Sequence, residues 1–158
     1  PFVKTEAKRF YFKQAKALLA RHPDATIIWA HTGLGRVVQP VQDHLAMVEE
    51  ILSDPDLGHV YFDISWDEVA KYVVATPQAT KLTAALIEKY PDRFLMGTDN
   101  VALTDQEAIF AVFEQYRPLW DALSDEASRK VRKENFARLF DAASARVRAW
   151  ERANPAPG

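Results

Sequence analysis

Three times along this chain a proline–aspartate turn is followed, eight residues after the proline, by a polar residue that ends a short apolar run. His22-Pro23-Asp24 leads into Thr26 to Ala30 and then His31. Asp54-Pro55-Asp56 leads into Val60-Tyr61-Phe62 and then Asp63. Tyr90-Pro91-Asp92 leads into Phe94-Leu95-Met96-Gly97-Thr98 and then Asp99. The prolines stand 32 and 36 residues apart, room for one strand, one helix and their loops. Each apolar run is too short for a helix and suits a buried strand. Strands separated by helices pair in parallel, because a parallel connection has to cross over the sheet. Strand side chains alternate with period two, so a shared offset from the turn gives His31, Asp63 and Asp99 one phase. The repeat predicts three titratable groups on one side, at one end, of a parallel sheet ordered 1-2-3.

The first unit carries the richest chemistry. In Thr26-Ile-Ile-Trp-Ala-His-Thr-Gly-Leu-Gly-Arg36 an imidazole sits where the strand stops. Gly33 and Gly35 then free the backbone, since glycine takes positive φ at no steric cost. α/β folds place catalytic groups at such strand ends. The local pattern alone fits equally a histidine that only closes the strand.

The strands are read as Thr26 to Ala30, His59 to Ile64 and Arg93 to Thr98. Thr5 to Arg21 reads as a helix, with Phe10, Gln14, Ala17 and Leu18 near one face. A second helix runs from about Val41 to Ser53 on Val41, Leu45, Val48 and Leu52. Ser65-Trp66-Asp67-Glu68 has the form of a capping box and opens a short helix to Val74. Thr76-Pro77 restarts a helix from about Gln78 to Lys89, with Ala79, Leu82, Leu86 and Tyr90 on one face. Thr104-Asp105-Gln106-Glu107 is a second capping box, opening a helix to Tyr116 that Pro118 ends. Ser124 caps a last helix from Asp125 to Arg152, bent near Asn135. Its expected buried stripe is Phe136, Leu139, Phe140, Ala143, Val147 and Trp150. Residues 153–158 read as a frayed tail. The whole, 1–158, reads as one domain. It opens on a helix with no strand before it, which suggests that a preceding strand has been left out, and it starts at Pro1 rather than methionine, as a processed, trimmed or partial chain would.

Bulk properties narrow the function. Apolar residues make up 48% and charged residues 27% of the chain, an ordinary globular balance. Net charge is −2 and no basic stripe is present, which argues against nucleic acid. There is no cysteine, so disulfides and thiolate metal sites are excluded. No apolar stretch approaches the ~18 residues needed to span a bilayer, and no signal-peptide pattern occurs, so a cytoplasmic protein without membrane contact is expected.

Taken together these motifs resemble the amidohydrolase-2 group of the amidohydrolase superfamily, which includes decarboxylases related to aminocarboxymuconate-semialdehyde decarboxylase. The Ile28-to-Arg36 stretch resembles the sixth barrel strand of that group, with its active-site histidine and following glycines. Arg93-Phe-Leu-Met-Gly-Thr-Asp99 resembles the eighth strand, which ends in a metal-binding aspartate. Lys133-Glu-Asn-Phe-Ala-Arg-Leu-Phe140 resembles the terminal helix and its Asn-Ala-x-x-Leu-Phe pattern, with Phe136 inserted as a departure. The resemblance covers residues 5 to 148. It implies an α/β fold, a partial (β/α)8 TIM barrel made of the last three βα units, a preceding helix and a C-terminal helix.

The resemblance also assigns roles. It implies a metal-dependent hydrolase of C–N or C–O bonds, or a non-oxidative decarboxylase, acting on a small molecule with a divalent metal, zinc by preference. Asp99 would ligate the metal and take a proton. His31 would shuttle a proton to or from the metal-bound water, or join the ligands in two-metal members. Arg36 could hold a substrate carboxylate with its bidentate fork, and Trp66 could line the pocket. For each there is a plainer role: a strand-end bond for His31, a loop cap for Asp99, a surface ion pair for Arg36, packing for Trp66. Asp63 reads as structural, His22 and His59 fall at the opposite end of the strands, and His44 reads as solvated on a helix. The group's first-strand His-x-His pair and fifth-strand histidine have no counterpart among His22, His31, His44 and His59. A catalytic zinc takes three protein ligands, so the chain alone is expected to bind metal weakly.

Two rival readings stand beside this one: a non-catalytic remnant of such an enzyme, and a flavodoxin-like binding module. An open three-stranded sheet also exposes two edges. Thr26 to Ala30 and Arg93 to Thr98, flanked by Ile27, Trp29, Phe94 and Leu95, are both expected to be unpaired outward. That predicts pairing with a copy of the chain or with a separate chain carrying the rest of the barrel.

Overall fold

The structure is a computed structural model that describes residues 5–34, 40, 43–101 and 105–155, with 5–10 described through their backbone. In order it contains α1 (Thr5–Leu19), β1 (Ile27–Trp29), α2 (His44–Leu52), β2 (Val60–Asp63), α3 (Asp67–Val73), α4 (Pro77–Lys89), β3 (Phe94–Leu95), α5 (Glu107–Gln115), α6 (Arg117–Ala122), α7 (Asp125–Arg129) and α8 (Asn135–Ala153). A π-helical segment, Lys130–Glu134, joins α7 to α8. The three strands form one parallel sheet in the order β1-β2-β3. Among the described residues no helix is long and apolar enough to cross a membrane.

The proline turns act as helix stops and strand starts. Asp54 accepts a hydrogen bond from the Asp56 N–H, closing the turn before β2. Thr76 caps α4 by accepting from the Ala79 N–H at 3.1 Å, with Pro77 in the first turn, where a missing N–H costs nothing. Ser124 caps α7 by accepting from Ala127 N–H, and Glu88 of α4 binds its N–H and hydroxyl in turn. Pro118 does not end a helical stretch as its sequence position suggests; it sits in the first turn of α6.

The core lies on the face of the sheet carrying Val60, Phe62 and Ile64, each at most 1% exposed. Phe62 is flanked by Trp29, at 6.0 Å between ring centroids, and by Phe94, at 6.1 Å. Val48, Ile51 and Leu52 of α2, Val69 of α3, and Leu86 and Ile87 of α4 cover this row. On the opposite face Tyr61 is half-buried beneath the guanidinium groups of Arg93 and Arg138. Two helices are rotated from their expected faces. In α1 it is Leu19 that is buried while Leu18 is exposed, and in α4 Thr80, Thr83 and Ala84 turn inward while Leu82 is exposed.

The sheet's third strand is closed in a way the apolar pattern does not suggest. The Met96 N–H donates to the Val131 carbonyl at 3.1 Å. The Asn135 amide donates to the Phe94 carbonyl at 2.8 Å and to the Pro91 carbonyl at 2.7 Å. In the π segment the Asn135 N–H reaches back five residues to Lys130, so the ladder is out of its α register and the Val131 carbonyl is available to β3. The outer side of β3 is thus bonded to the α7–α8 region, which corrects the expectation that its edge is bare. Phe94 and Leu95, expected to flank a missing neighbour, are buried.

The terminal helix corrects another expectation. Helical spacing puts Phe136, Phe140, Val147 and Trp150 in a buried stripe, yet they are 44–65% exposed. Asn135, not an apolar residue, is the one position of α8 that is fully buried. Its bonds to Phe94 of β3 and to Pro91 in the turn before it fix the rotation of the helix and carry the stripe outward, where Phe136 and Phe140 stack on each other at 4.3 Å.

Candidate functional site

The C-terminal ends of the three strands converge on His31. Beyond β1 the backbone turns left-handed at His31 (φ 57°), Thr32 (φ 51°) and Gly33 (φ 75°). A side chain at Gly33 would be strained by that φ and would come within 3.2 Å of the Trp29 indole nitrogen, so the turn demands glycine there. Among the described residues the non-glycine positions with positive φ are His31, Thr32, Trp66 and Asp99, every one of them just past a strand. Histidine and aspartate tolerate this region fairly well, whereas a β-branched threonine or a tryptophan does not. Strained backbone persists where the surroundings hold it, and it gathers at functional sites.

His31 is gripped on three sides. Ser65 Oγ lies 3.2 Å from Nδ1. Asp99 Oδ2 lies 3.6 Å from Nε2, close enough for an ion pair when the ring is protonated and too long for a hydrogen bond. The Trp66 ring packs at 5.1 Å between centroids, tilted by 52°. The His31 side chain is 21% exposed and that of Asp99 41%, while Ser65, at 2%, is sealed. The arrangement holds an imidazole with one nitrogen fixed by a buried hydroxyl and the other set beside a carboxylate, able to pass a proton at Nε2.

The residues singled out from sequence fare differently. His31, Asp99 and Trp66 are brought together. Asp63 stands at the end of β2, and its Oδ1 accepts from the Ser65 N–H at 2.5 Å, so it shapes the turn. Arg36 lies outside the described residues. His44, read as solvated, is half-buried at the start of α2 with Nε2 3.4 Å from Thr32 Oγ1. His59, at the opposite end of β2, bonds the Leu19 carbonyl at 3.1 Å.

The repeat's common phase does not survive in the register. Trp29 pairs with Phe62, and Phe62 with Phe94. His31 is therefore two residues past this row, Asp63 one and Asp99 five. The cause is the early departure of β3 from the sheet: Met96 turns to Val131, and the chain reaches Asp99 through a left-handed turn.

Ser65 does not cap α3. The helix begins at Asp67 after Trp66, and the serine hydroxyl faces His31 instead. The second capping box keeps Asp105, which accepts from the Glu107 N–H at 2.8 Å; Thr104 lies outside the described residues.

Tyr116 was missed altogether, because a tyrosine at a helix end carries no sequence signal for a site. It is wholly buried, and its single hydroxyl proton is shared between the carbonyls of Ile64 and Trp66, the latter at 2.7 Å. Burial pushes the phenol well above the ordinary tyrosine range, with the nearby charges of Asp63 and Asp67 adding to the shift. The folded state therefore keeps this proton where the unfolded chain gives it up. Stability should be intact below about pH 10 and fall above it, by up to about 1.4 kcal/mol per pH unit from this one group. Alkaline unfolding of wild type and Tyr116→Phe should show that slope shrinking in the variant.

Among the described residues no group of three or more histidines, cysteines, aspartates and glutamates is placed to hold a metal ion. His31 and Asp99 make two donors where a catalytic zinc takes three. A model of the family described as Amidohydrolase, Amidohydro_2, matches residues 6–142. The chain belongs to this family. No curated protein and no solved structure matched the chain. The amidohydrolase match spans β1, β2, β3 and the start of α8, and so includes His31, Trp66, Asp99 and Asn135. Members of the family generally use a divalent metal, yet the described residues of this amidohydrolase do not complete a metal site by themselves.

Proposed function

We propose that this chain carries part of the active site of a metal-dependent hydrolase of the amidohydrolase-2 type, acting on a C–N or C–O bond of a small molecule or removing a carboxylate without oxidation. The observation that carries the reading is the pairing of His31 Nε2 with Asp99 at 3.6 Å, within a chain that matches the family across both residues. In this reading the sheet forms the last three βα units of a (β/α)8 barrel. Asp99 is the chain's contribution to the metal ligands, zinc by preference. The remaining ligands come from outside the described residues, as from a separate chain bearing further strands; a second copy would bring only another His31 and Asp99. A metal held there would supply a polarised substrate oxygen or an activated water.

The chain's own residues do the rest. His31 moves a proton at Nε2, the nitrogen left open when Ser65 holds Nδ1. Trp66 walls one side, and Arg36 is assigned to a substrate carboxylate.

The shortage of donors favours one further reading, a remnant that keeps these motifs without turnover. Zinc content and turnover, measured on wild type, His31→Asn and Asp99→Ala with a panel of amides, lactones and aromatic carboxylates, decide between them. The expected result is weak zinc uptake by the chain alone. Once assembled, zinc should be retained and kcat lowered about 10²-fold in His31→Asn, and zinc lost in Asp99→Ala. Unchanged zinc content and turnover in both variants would overturn the assignment.

A further inference from the structure

We propose that Tyr116 is a positioning residue for His31: its phenol clamps the turn Ile64–Trp66 in a strained form that seats Ser65 on Nδ1 and the Trp66 ring on the imidazole. The inference rests on the reading of His31 as the proton-transferring group.

The geometry of the turn carries the argument. Trp66 has φ 87° and ψ 142°, a conformation that glycine adopts readily and other residues avoid. Two carbonyls of the turn, those of Ile64 and Trp66, converge on the single Tyr116 hydroxyl. In an extended strand, residues two apart are separated by roughly 6.6 Å. One oxygen bonding both at about 2.8 Å spans less than that. The shared hydroxyl therefore fits only the folded-back form of the turn, the form in which Trp66 is strained. Between these two carbonyls sits Ser65, whose N–H is tied to Asp63 and whose hydroxyl meets His31.

The clamp itself is rigid. Tyr116 closes α5 and adjoins α6, is 0% exposed, and stacks on Trp120 at 5.9 Å. Its burial keeps the phenol protonated, and so a donor, over the whole neutral range. Tyr116 is bonded to neither His31 nor Asp99 and acts through the backbone of residues 64 to 66.

The test separates clamping from mere filling of the core. Tyr116→Phe keeps the ring and removes the hydroxyl. The readout is the ¹⁵N resonances of the His31 imidazole in the full chain, with Ser65→Ala as the reference for a lost Nδ1 contact. Tyr116→Phe should move the Nδ1 resonance in the direction that Ser65→Ala does. In a Trp66→Gly background, where residue 66 takes φ 87° without strain, removing the hydroxyl should leave Nδ1 where Trp66→Gly alone has it. The glycine pair also reads the coupling where the single Tyr116→Phe chain is too unstable for a spectrum. Lowered stability with unmoved His31 resonances in Tyr116→Phe would show a packing role alone and overturn the proposal. An equal Nδ1 shift with and without Trp66→Gly would do the same. A silent His31→Asn in turnover, by contrast, removes the functional reading and leaves the resonance result standing.

Discussion

Replacing Asn135 by alanine should lower the stability of the folded chain by roughly 2–6 kcal/mol, since two carbonyls, one buried and one part-buried, lose their donor at about 1–3 kcal/mol each. Asn135 is 1% exposed and donates to both Pro91 and Phe94. The first carbonyl belongs to the turn that starts β3, the second to the strand itself. Against a total of about 5–15 kcal/mol, the loss is a large part of what holds such a chain folded. Urea unfolding should show a lower midpoint at an unchanged slope. Asn135→Asp should be worse than Asn135→Ala. It sets a carboxylate oxygen against two carbonyl oxygens at a position only 1% exposed, where Asn135 offers two N–H groups. A midpoint within experimental error of wild type for Asn135→Ala would mean that the Met96–Val131 bond closes the strand without the amide.

Phe62→Ala should cost about 3–5 kcal/mol, the usual range for deleting a buried phenyl group. The ring lies on the middle strand and contacts its neighbours on both sides, Trp29 from β1 and Phe94 from β3. Removing it leaves a cavity that neither ring can fill without leaving its own strand. Phe62 also immediately precedes Asp63 and the Ile64–Trp66 turn, so loosening β2 should reach His31. Phe62→Leu, which restores most of the volume, should recover most of the stability. Thermal unfolding of the two variants side by side checks this. Equal losses would place the energy of the site in the aromatic contacts rather than in the filled space.

The strands were legible because three short apolar runs after proline turns leave little else to build. The parallel order followed from the helices between them. The position of His31 beside Asp99 was legible for a different reason, since each ends such a run. What could not be read was the register. A fixed offset from proline assumes that every strand stays in the sheet for the same length, and β3 leaves after Leu95 because a helix backbone bids for Met96. The apolar stripe of α8 misled in the same way. Periodicity tells which residues share a face, but one polar residue with two backbone partners decides which face turns inward. Ser65 fits a capping box by spacing, and only the turn at Trp66 takes its hydroxyl elsewhere. Tyr116 acts on a turn 50 residues earlier in the chain, a distance at which sequence pattern carries no information.

The bonding of β3 to its own terminal helix bears on how copies of this molecule can grow. Strand-by-strand polymerisation needs a receptive edge on each side of every subunit, so that each joins head to tail with the next. Here the Phe94 carbonyl and the Met96 N–H, which such a joint would use, are already engaged. Among the described strands β1 and β3 are the two edges of the sheet, and the edge of β3 is bonded to the terminal helix region. The helix thus works as a chain terminator: a fibre is denied the β3 side of every link.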